Sequence, residues 1–121
     1  MILYFTLGTN DLARAGSFYD ELLAGMDAKR VMELDRFIAW SNAPGAPMLA
    51  VIKPIDGQPA TVGNGVMAAL HVGDTAKIDA LHAKALALGA KDEGAPGFRM
   101  GTFYAAYFRD LDGNKLALVK T

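Results

Sequence analysis

Few side chains in this 121-residue sequence could carry acid–base or metal chemistry. The chain has no cysteine and only two histidines, His71 and His82, so disulfides, thiolate ligands and thiolate nucleophiles are excluded. His71 lies near the end of a predicted strand, where an imidazole can act as a general acid or base or hydrogen-bond a ligand. The alternative is a partly exposed histidine without a function. Ser17 and Ser41 have no neighbouring histidine–acid pair, so the sequence does not support a nucleophilic triad.

Tyrosine and arginine side chains could assist such a site. Tyr4 and Tyr104 are candidate partners for His71 in acid–base chemistry. Arg99 could hold a carboxylate through its planar guanidinium. It lies between Gly94 and Gly101, a stretch rich in glycine that we predict to be a loop. A solvated loop arginine is therefore the alternative.

Charge and hydropathy narrow the classes of partner. Thirteen acidic and twelve basic residues give a formal net charge of −1 without runs of like charge, so nucleic acid is not an expected partner. No apolar run approaches the roughly 20 residues of a membrane helix, and the N-terminus lacks the pattern of a signal peptide. We therefore expect a cytoplasmic protein that does not bind membranes.

An internal repeat organises the chain. Tyr4–Asp11 corresponds to Met67–Asp74 at a constant offset, and Leu49–Lys53 corresponds to Leu116–Lys120 at a slightly larger one. The pseudo-repeats are residues 1–54 and 66–121, joined by a linker at 55–65 that is rich in proline and glycine. Since a unit of about 60 residues buries little core alone, we predict one domain over residues 1–121.

Each half has the pattern of a strand, an amphipathic helix and three shorter strands. Each helix should begin at a polar cap and end at a glycine with left-handed backbone. The candidates are Asn10 or Asp11 and Gly25 in the first half, and Asp74 or Thr75 and Gly89 in the second. We predict an α+β fold of two tandem β-α-β-β-β modules, which form a cupped mixed sheet with the helices on its outer face.

This organisation resembles the vicinal oxygen chelate superfamily, which includes glyoxalase I, extradiol dioxygenases, and fosfomycin- and bleomycin-resistance proteins. The resemblance rests on the doubled module, Asn10-Asp11-Leu12 opening the first helix, Phe18-Tyr19 within it, and the segment FRDLDGNKL at 108–116. In that segment Asp112-Gly113 could supply the positive φ angles of a two-residue hairpin turn. The resemblance favours a homodimer, as do the open sheet edges that two such modules leave.

The resemblance also implies a divalent metal held by one residue from the first and last strand of each half. The matching positions are Tyr4, Ala50, Met67 and Ala117. Alanine cannot ligate, and methionine is a soft ligand unsuited to hard cations. We therefore predict no metal and no other cofactor, with a metal-dependent lyase of the glyoxalase type as an alternative if the register differs.

Strand alternation predicts which side chains line the open face of the sheet. One aromatic of each pair, Phe37/Trp40 and Tyr104/Tyr107, should reach that face, while Ala50 and Ala117 should leave volume there. The predicted ligand-binding residues are Tyr4, Thr6, Trp40, Met48, Ala50, Met67, His71, Arg99, Tyr104 and Ala117.

The resemblance and this lining together predict a glyoxalase/bleomycin-resistance-like protein that binds a small, partly apolar organic molecule without a metal. The alternative is a metal-independent isomerase or lyase that uses His71 with a tyrosine. The sequence leaves open whether the chain is an enzyme.

Overall fold

Two helices and eight strands form the structure, a computed structural model that describes residues 1–121. The elements are β1 (Tyr4–Gly8), α1 (Leu12–Ala24), β2 (Lys29–Leu34), β3 (Phe37–Ser41), β4 (Met48–Ile52), β5 (Ala68–His71), α2 (Thr75–Ala87), β6 (Lys91–Met100), β7 (Phe103–Arg109) and β8 (Lys115–Lys120). This order confirms the predicted α+β fold of two β-α-β-β-β modules. Neither helix is long and apolar enough to cross a membrane.

Each module forms its own four-stranded mixed sheet. The first sheet has the order β1-β4-β3-β2 and the second the order β5-β8-β7-β6. In each, one parallel pair joins the first and last strand of the module, and the other pairs are antiparallel. The chain divides into two compact units, Met1–Thr61 and Val62–Thr121, and the boundary falls inside the linker predicted at 55–65.

Helix α1 packs on one side of the first sheet through a close approach at Gly16. A Cβ atom there would lie 2.7 Å from Arg30 Nη2 and 3.0 Å from Ile38 Cδ1, so a larger residue would push the helix off β2 and β3. The rings of Tyr19 and Trp40 lie 5.6 Å apart in the same contact. Helix α2 covers the second sheet through Ile78, Leu81, His82 and Ala85.

The helix N-caps are among the predicted residues, whereas only one of the two predicted C-terminal glycines is left-handed. Asp11 and Asp74 are the N-caps and accept hydrogen bonds from the backbone N–H of Arg14 (3.0 Å) and Lys77 (2.8 Å). Gly89 is left-handed, with φ +104°. The expectation for Gly25 is wrong, because its φ is −68° and Asp27, two residues later, takes the positive φ of 58°.

The segment predicted as a loop between Gly94 and Gly101 is instead part of strand β6. This strand runs to Met100 and pairs with β7 through three shifts of register near Gly94, Gly97 and Phe98. An edge strand tolerates glycine and proline at such irregularities, because its outer N–H groups need no partner strand. The sequence did not indicate this strand, because glycine and proline normally mark loops.

The β7–β8 hairpin turns over three residues, Leu111–Gly113, and the expected two-residue turn is wrong. Gly113 has φ +88° but Asp112 does not adopt a positive φ. The Asp110 carboxylate accepts hydrogen bonds from the backbone N–H of Asp112 and of Asn114, both at 2.9 Å. A capped three-residue turn with one left-handed glycine therefore joins the last two strands.

Candidate functional site

The strand registers assign every side chain of the first sheet to a face, because in-register neighbours point to the same side. Ala50 on β4 lies between Thr6 on β1 and Ala39 on β3. By alternation Tyr4, Met48, Ile52 and Phe37 share this side, which we name the first open face. Leu7, Ile38 and Val51 point to the side that α1 covers.

Trp40 lies on the helix-covered side, so its predicted place on the open face is wrong. It pairs with Leu49, contacts Tyr19 of α1, and donates its indole N–H to Asp20 Oδ1 at 2.8 Å. Phe37 is the aromatic residue of this strand that reaches the first open face, where its ring makes an edge contact with Tyr4 at 5.9 Å.

The second sheet has an equivalent face, which we name the second open face. Ala117 on β8 is paired with Ala69 on β5 and with Tyr107 on β7. Val119 on β8 is paired with His71 and with Ala105. By alternation Met67, just before β5, and Lys115 share this side, while Leu116, Leu118 and Phe108 point towards α2.

Tyr104 also lies on the wrong side for its predicted role. Its hydroxyl donates a hydrogen bond to Asp79 on α2, and this hydrogen bond, with desolvation, raises the pKa of the phenol. Tyr107, three residues later, is the tyrosine of the second open face. Alternation within β7 could have found this, but the sequence alone did not fix the phase of that strand.

The alanines expected to leave volume are instead closely packed. Ala50 and Ala117 are both 0% exposed. On the second open face Ala105, Ala117 and Val119 form a buried apolar cluster, against which Phe103 and Tyr107 pack. Ala69, beside Ala117, is exposed. Sequence reasoning missed Phe103, although it lies two residues before Ala105 and so on the same face of β7.

Positive charge collects around Tyr107. The Arg99 guanidinium carbon lies 5.4 Å and the Lys115 ammonium nitrogen 5.5 Å from the centroid of the Tyr107 ring. Nearby, Arg109 Nε donates to Glu93 at 2.9 Å, which lowers the pKa of that glutamate. The predicted binding residue Arg99 therefore lies beside an aromatic ring on a strand and not in a solvated loop.

The two histidines occupy different environments. His71 is exposed at the end of β5, on the second open face. His82 is buried on α2, and its Nε2 lies 3.2 Å from Asp92 Oδ1 and 3.2 Å from the carbonyl oxygen of Tyr107. These contacts make His82 a structural link between α2, β6 and β7, and leave His71 as the imidazole available to a ligand.

The family of the chain follows from a match along nearly its whole length. The model of the glyoxalase/bleomycin resistance protein/dioxygenase superfamily matches residues 1–118. The chain belongs to this superfamily.

Solved structures of the superfamily show the same fold. A glyoxalase/bleomycin resistance protein from Albidiferax ferrireducens T118 is 34% identical, with a TM-score of 0.92 over 100% of this chain and 98% of that chain. A glyoxalase-related enzyme from Fulvimarina pelagi is 20% identical, with a TM-score of 0.78 over 100% and 88% of the two chains. A lactoylglutathione lyase from Agrobacterium tumefaciens is also 20% identical, with a TM-score of 0.73 over 99% and 92%. No curated protein sequence matches this chain.

The residues present do not fit the divalent metal that the superfamily fold implies. Ala50 pairs with Thr6 and Ala39, and Ala117 pairs with Ala69 and Tyr107, so the register partners of the two alanines offer two neutral hydroxyls and no imidazole or carboxylate. No group of three or more histidine, cysteine, aspartate or glutamate side chains is placed to hold a metal. A hard divalent cation needs several such donors.

A surface cleft of about 220 Å³ lies elsewhere, in the first unit. Its lining comes from the residues that follow β1 and β4 and from the linker, and consists of Thr9, Asn10, Lys53, Pro54, Gly57, Gln58 and Pro59. Asn10 closes one side through a 2.6 Å hydrogen bond from the Ala60 N–H to its Oδ1. None of the predicted ligand-binding residues lines it, and it has no aromatic wall.

Proposed function

We propose that this protein binds a small, partly apolar organic molecule on its second open face, without a metal ion. The observation that carries the proposal is the apolar cluster of Ala105, Ala117 and Val119, flanked by Phe103 and Tyr107 on the side of the sheet away from α2. Small-molecule sites typically combine an apolar floor with a few polar groups.

Polar groups stand at the edges of this apolar floor. His71 lies beside Val119 at one end, and Arg99 and Lys115 flank Tyr107 at the other. Membership of the superfamily supports a ligand-binding role. The metal-dependent chemistries of the superfamily receive no support from the donor set, because a Lewis-acid mechanism needs a bound ion.

A metal-independent isomerase or lyase cannot use His71 together with Tyr104. His71 is on the open face of the second sheet, whereas Tyr104 is on the helix-covered face with its hydroxyl bound to Asp79. The two groups therefore cannot act on one molecule. Since no other observation favours catalysis, binding is the function that we propose.

Binding can be tested with an uncharged fluorescent probe, N-phenylnaphthylamine, after the protein is treated with a chelator. We expect saturable binding to one site per chain. Ala69→Phe should lower the affinity about tenfold or more, because the added ring occupies exposed space beside Ala117. Ala83→Phe adds the same ring at an exposed position of α2 and should leave the affinity unchanged.

Stability measurements show whether Ala69→Phe weakens binding by blocking the site or by unfolding the protein. Ala69→Phe should change the free energy of unfolding by less than about 0.5 kcal/mol. Leu118→Ala, on the helix-covered face and 0% exposed, should lower it by roughly 2 to 5 kcal/mol by leaving a cavity. A similar loss for both variants would mean that the faces are wrongly assigned.

Metal analysis tests the other half of the proposal. Titration with nickel, zinc and manganese should show no stoichiometric tight binding, because Ala50, Met67 and Ala117 offer no hard donor. Probe binding that requires one of these ions, or no saturable binding under any condition, would contradict the proposal.

A further inference from the structure

Arg99 is held over the second open face by the glycines of its own strand. A Cβ atom at Gly94 would lie 2.9 Å from Tyr107 Cδ2 and 3.4 Å from Arg99 Nη2. A Cβ atom at Gly97 would lie 3.0 Å from Arg99 Nη1. Because both positions lack a side chain, Arg99 folds back along β6 and reaches the Tyr107 ring. Its Nη2 group also donates to the carbonyl oxygen of Ala95, which orients the guanidinium.

Positive charge is in excess at this place. The cations are Arg99, Lys115 and Arg109, and the carboxylate among them is Glu93. Arg109 neutralises Glu93 through the 2.9 Å ion pair and also donates to the carbonyl oxygen of Gly113. Arg99 and Lys115 contact the Tyr107 ring, and Lys115 adds to the effect of Arg109 in lowering the pKa of Glu93. An aromatic ring does not neutralise the cation above it, so the cation can still attract an anionic ligand.

The ring of Tyr107 joins this charge to the apolar floor. Tyr107 packs against the cluster of Ala105, Ala117 and Val119 while its ring contacts both cations. A molecule whose apolar body lies against the half-buried Phe103 and Tyr107, which pack on the cluster, can therefore place an acidic group at Arg99 and Lys115. Arginine favours planar oxyanions through its fork of N–H groups, and lysine adds a point charge.

We propose that the second open face selects organic anions, with Arg99 and Lys115 binding an oxyanion group (carboxylate, sulfonate or phosphate) beside Tyr107. This inference rests on the proposed function and adds to it the chemical class of the ligand.

A matched pair of probes tests the selectivity. Anilinonaphthalene sulfonate differs from N-phenylnaphthylamine by one sulfonate group, so the ratio of their affinities isolates the effect of the charge. With the chelator-treated full chain, we expect the sulfonate probe to bind about tenfold more tightly or better. Raising the ionic strength should weaken the sulfonate probe and leave the neutral one unchanged.

Glutamine variants test whether Arg99 and Lys115 cause the preference for the sulfonate probe. Arg99→Gln and Lys115→Gln should each lower the affinity for the sulfonate probe by about threefold to tenfold more than they lower the affinity for the neutral probe. The control is Arg36→Gln in the first unit, whose guanidinium also donates to a backbone carbonyl, that of Lys53 at 2.8 Å. This control removes the same charge elsewhere and should change neither affinity.

Competition distinguishes an organic anion from a free inorganic anion. Benzoate and phenyl phosphate should each displace the sulfonate probe, and inorganic phosphate, which has no apolar part, should not. Displacement by inorganic phosphate at equal concentration would overturn the requirement for an apolar body.

The outcomes separate the two proposals. Equal affinities for the two probes, or affinities that neither glutamine variant changes, would overturn the selectivity and leave the proposed function standing. Failure of both probes to bind would overturn both proposals.

Discussion

At the scale of single residues, each helix holds one aromatic side chain of its own sheet through a carboxylate. Asp20 on α1 accepts the Trp40 indole N–H at 2.8 Å and two hydrogen bonds from Arg30, both at 2.8 Å. Asp79 on α2 accepts the Tyr104 hydroxyl. These partners help to keep Trp40 and Tyr104 on the helix-covered sides, which leaves the open faces to the other aromatic of each strand.

Asp20→Asn tests the contribution of this carboxylate to stability. The hydrogen bond from Arg30 lowers the pKa of Asp20 in the folded state. A lowered folded-state pKa gives stability that is present above the unfolded-state pKa and is lost as the pH falls through the folded-state value. The Asp20 side chain is 42% exposed, so after allowance for solvent screening we expect a loss of about 0.5 to 1 kcal/mol at neutral pH.

The sign of the pH dependence provides the check. Chemical denaturation at several pH values should show the difference between wild type and Asp20→Asn shrinking as the pH falls below about 4. A difference that stays constant or grows on acidification would show that the charge of Asp20 is not what stabilises the α1–sheet contact.

The sequence predicted much of the residue-scale arrangement because alternation along a strand is rigid. Leu7, Val51 and Leu118 lie towards the helices and Ala50 and Ala117 away from them, as alternation along β1, β4 and β8 implies. The phase of β3 and β7 was not available, since it depends on registers set by turns and pairing. Trp40 and Tyr104 were therefore placed on the wrong face.

Among the elements, the N-terminal helix caps could be predicted, because a side-chain carboxylate there accepts a hydrogen bond from a backbone N–H that has no partner within the helix. Strand β6 was not predicted, because its glycines and proline normally mark loops and its pairing with β7 is irregular around Gly94 and Gly97. The helix C-termini could be predicted in only one of two cases, because a glycine near the end of a helix need not be the residue with a left-handed backbone. Gly25 and Gly89 illustrate the two cases.

Alanine substitution at these two glycines should have opposite effects on stability. Gly25 has a right-handed backbone with φ −68°, so Gly25→Ala should stabilise by about 0.4 to 1 kcal/mol by restricting the unfolded chain. Gly89 has φ +104°, and a Cβ atom there would lie 3.1 Å from Leu111 Cδ2. Gly89→Ala should therefore destabilise by about 1 to 3 kcal/mol.

Urea denaturation of the two variants side by side measures this contrast. The same sign of change for both would mean that the left-handed backbone at Gly89 is not what ends α2.

At the scale of the whole molecule, the first unit exposes large apolar side chains around its edge strands. They precede or begin β1, or lie in β2, and are Ile2, Leu3, Tyr4, Val31, Met32 and Leu34. Strands β1 and β2 are the edges of the first sheet. Exposed apolar edges favour association with another chain, which removes them from water and pairs their backbone groups.

We therefore expect the chain to form a homodimer. Light scattering at micromolar concentration should give about twice the chain mass of 12.8 kDa. The mass of a single chain would refute this expectation, and the binding proposals on the second open face would be unaffected.

Amide chemical-shift mapping can show whether the ligand binds on the second open face. Metal-free, isotopically labelled protein would be titrated with N-phenylnaphthylamine while two-dimensional amide spectra are recorded. We expect saturable shifts centred on Ala105, Ala117 and Val119 of the second open face. Shifts centred on the linker cleft at Thr9, Lys53 and Gln58, or shifts that arise only after a divalent metal is added, would contradict this expectation.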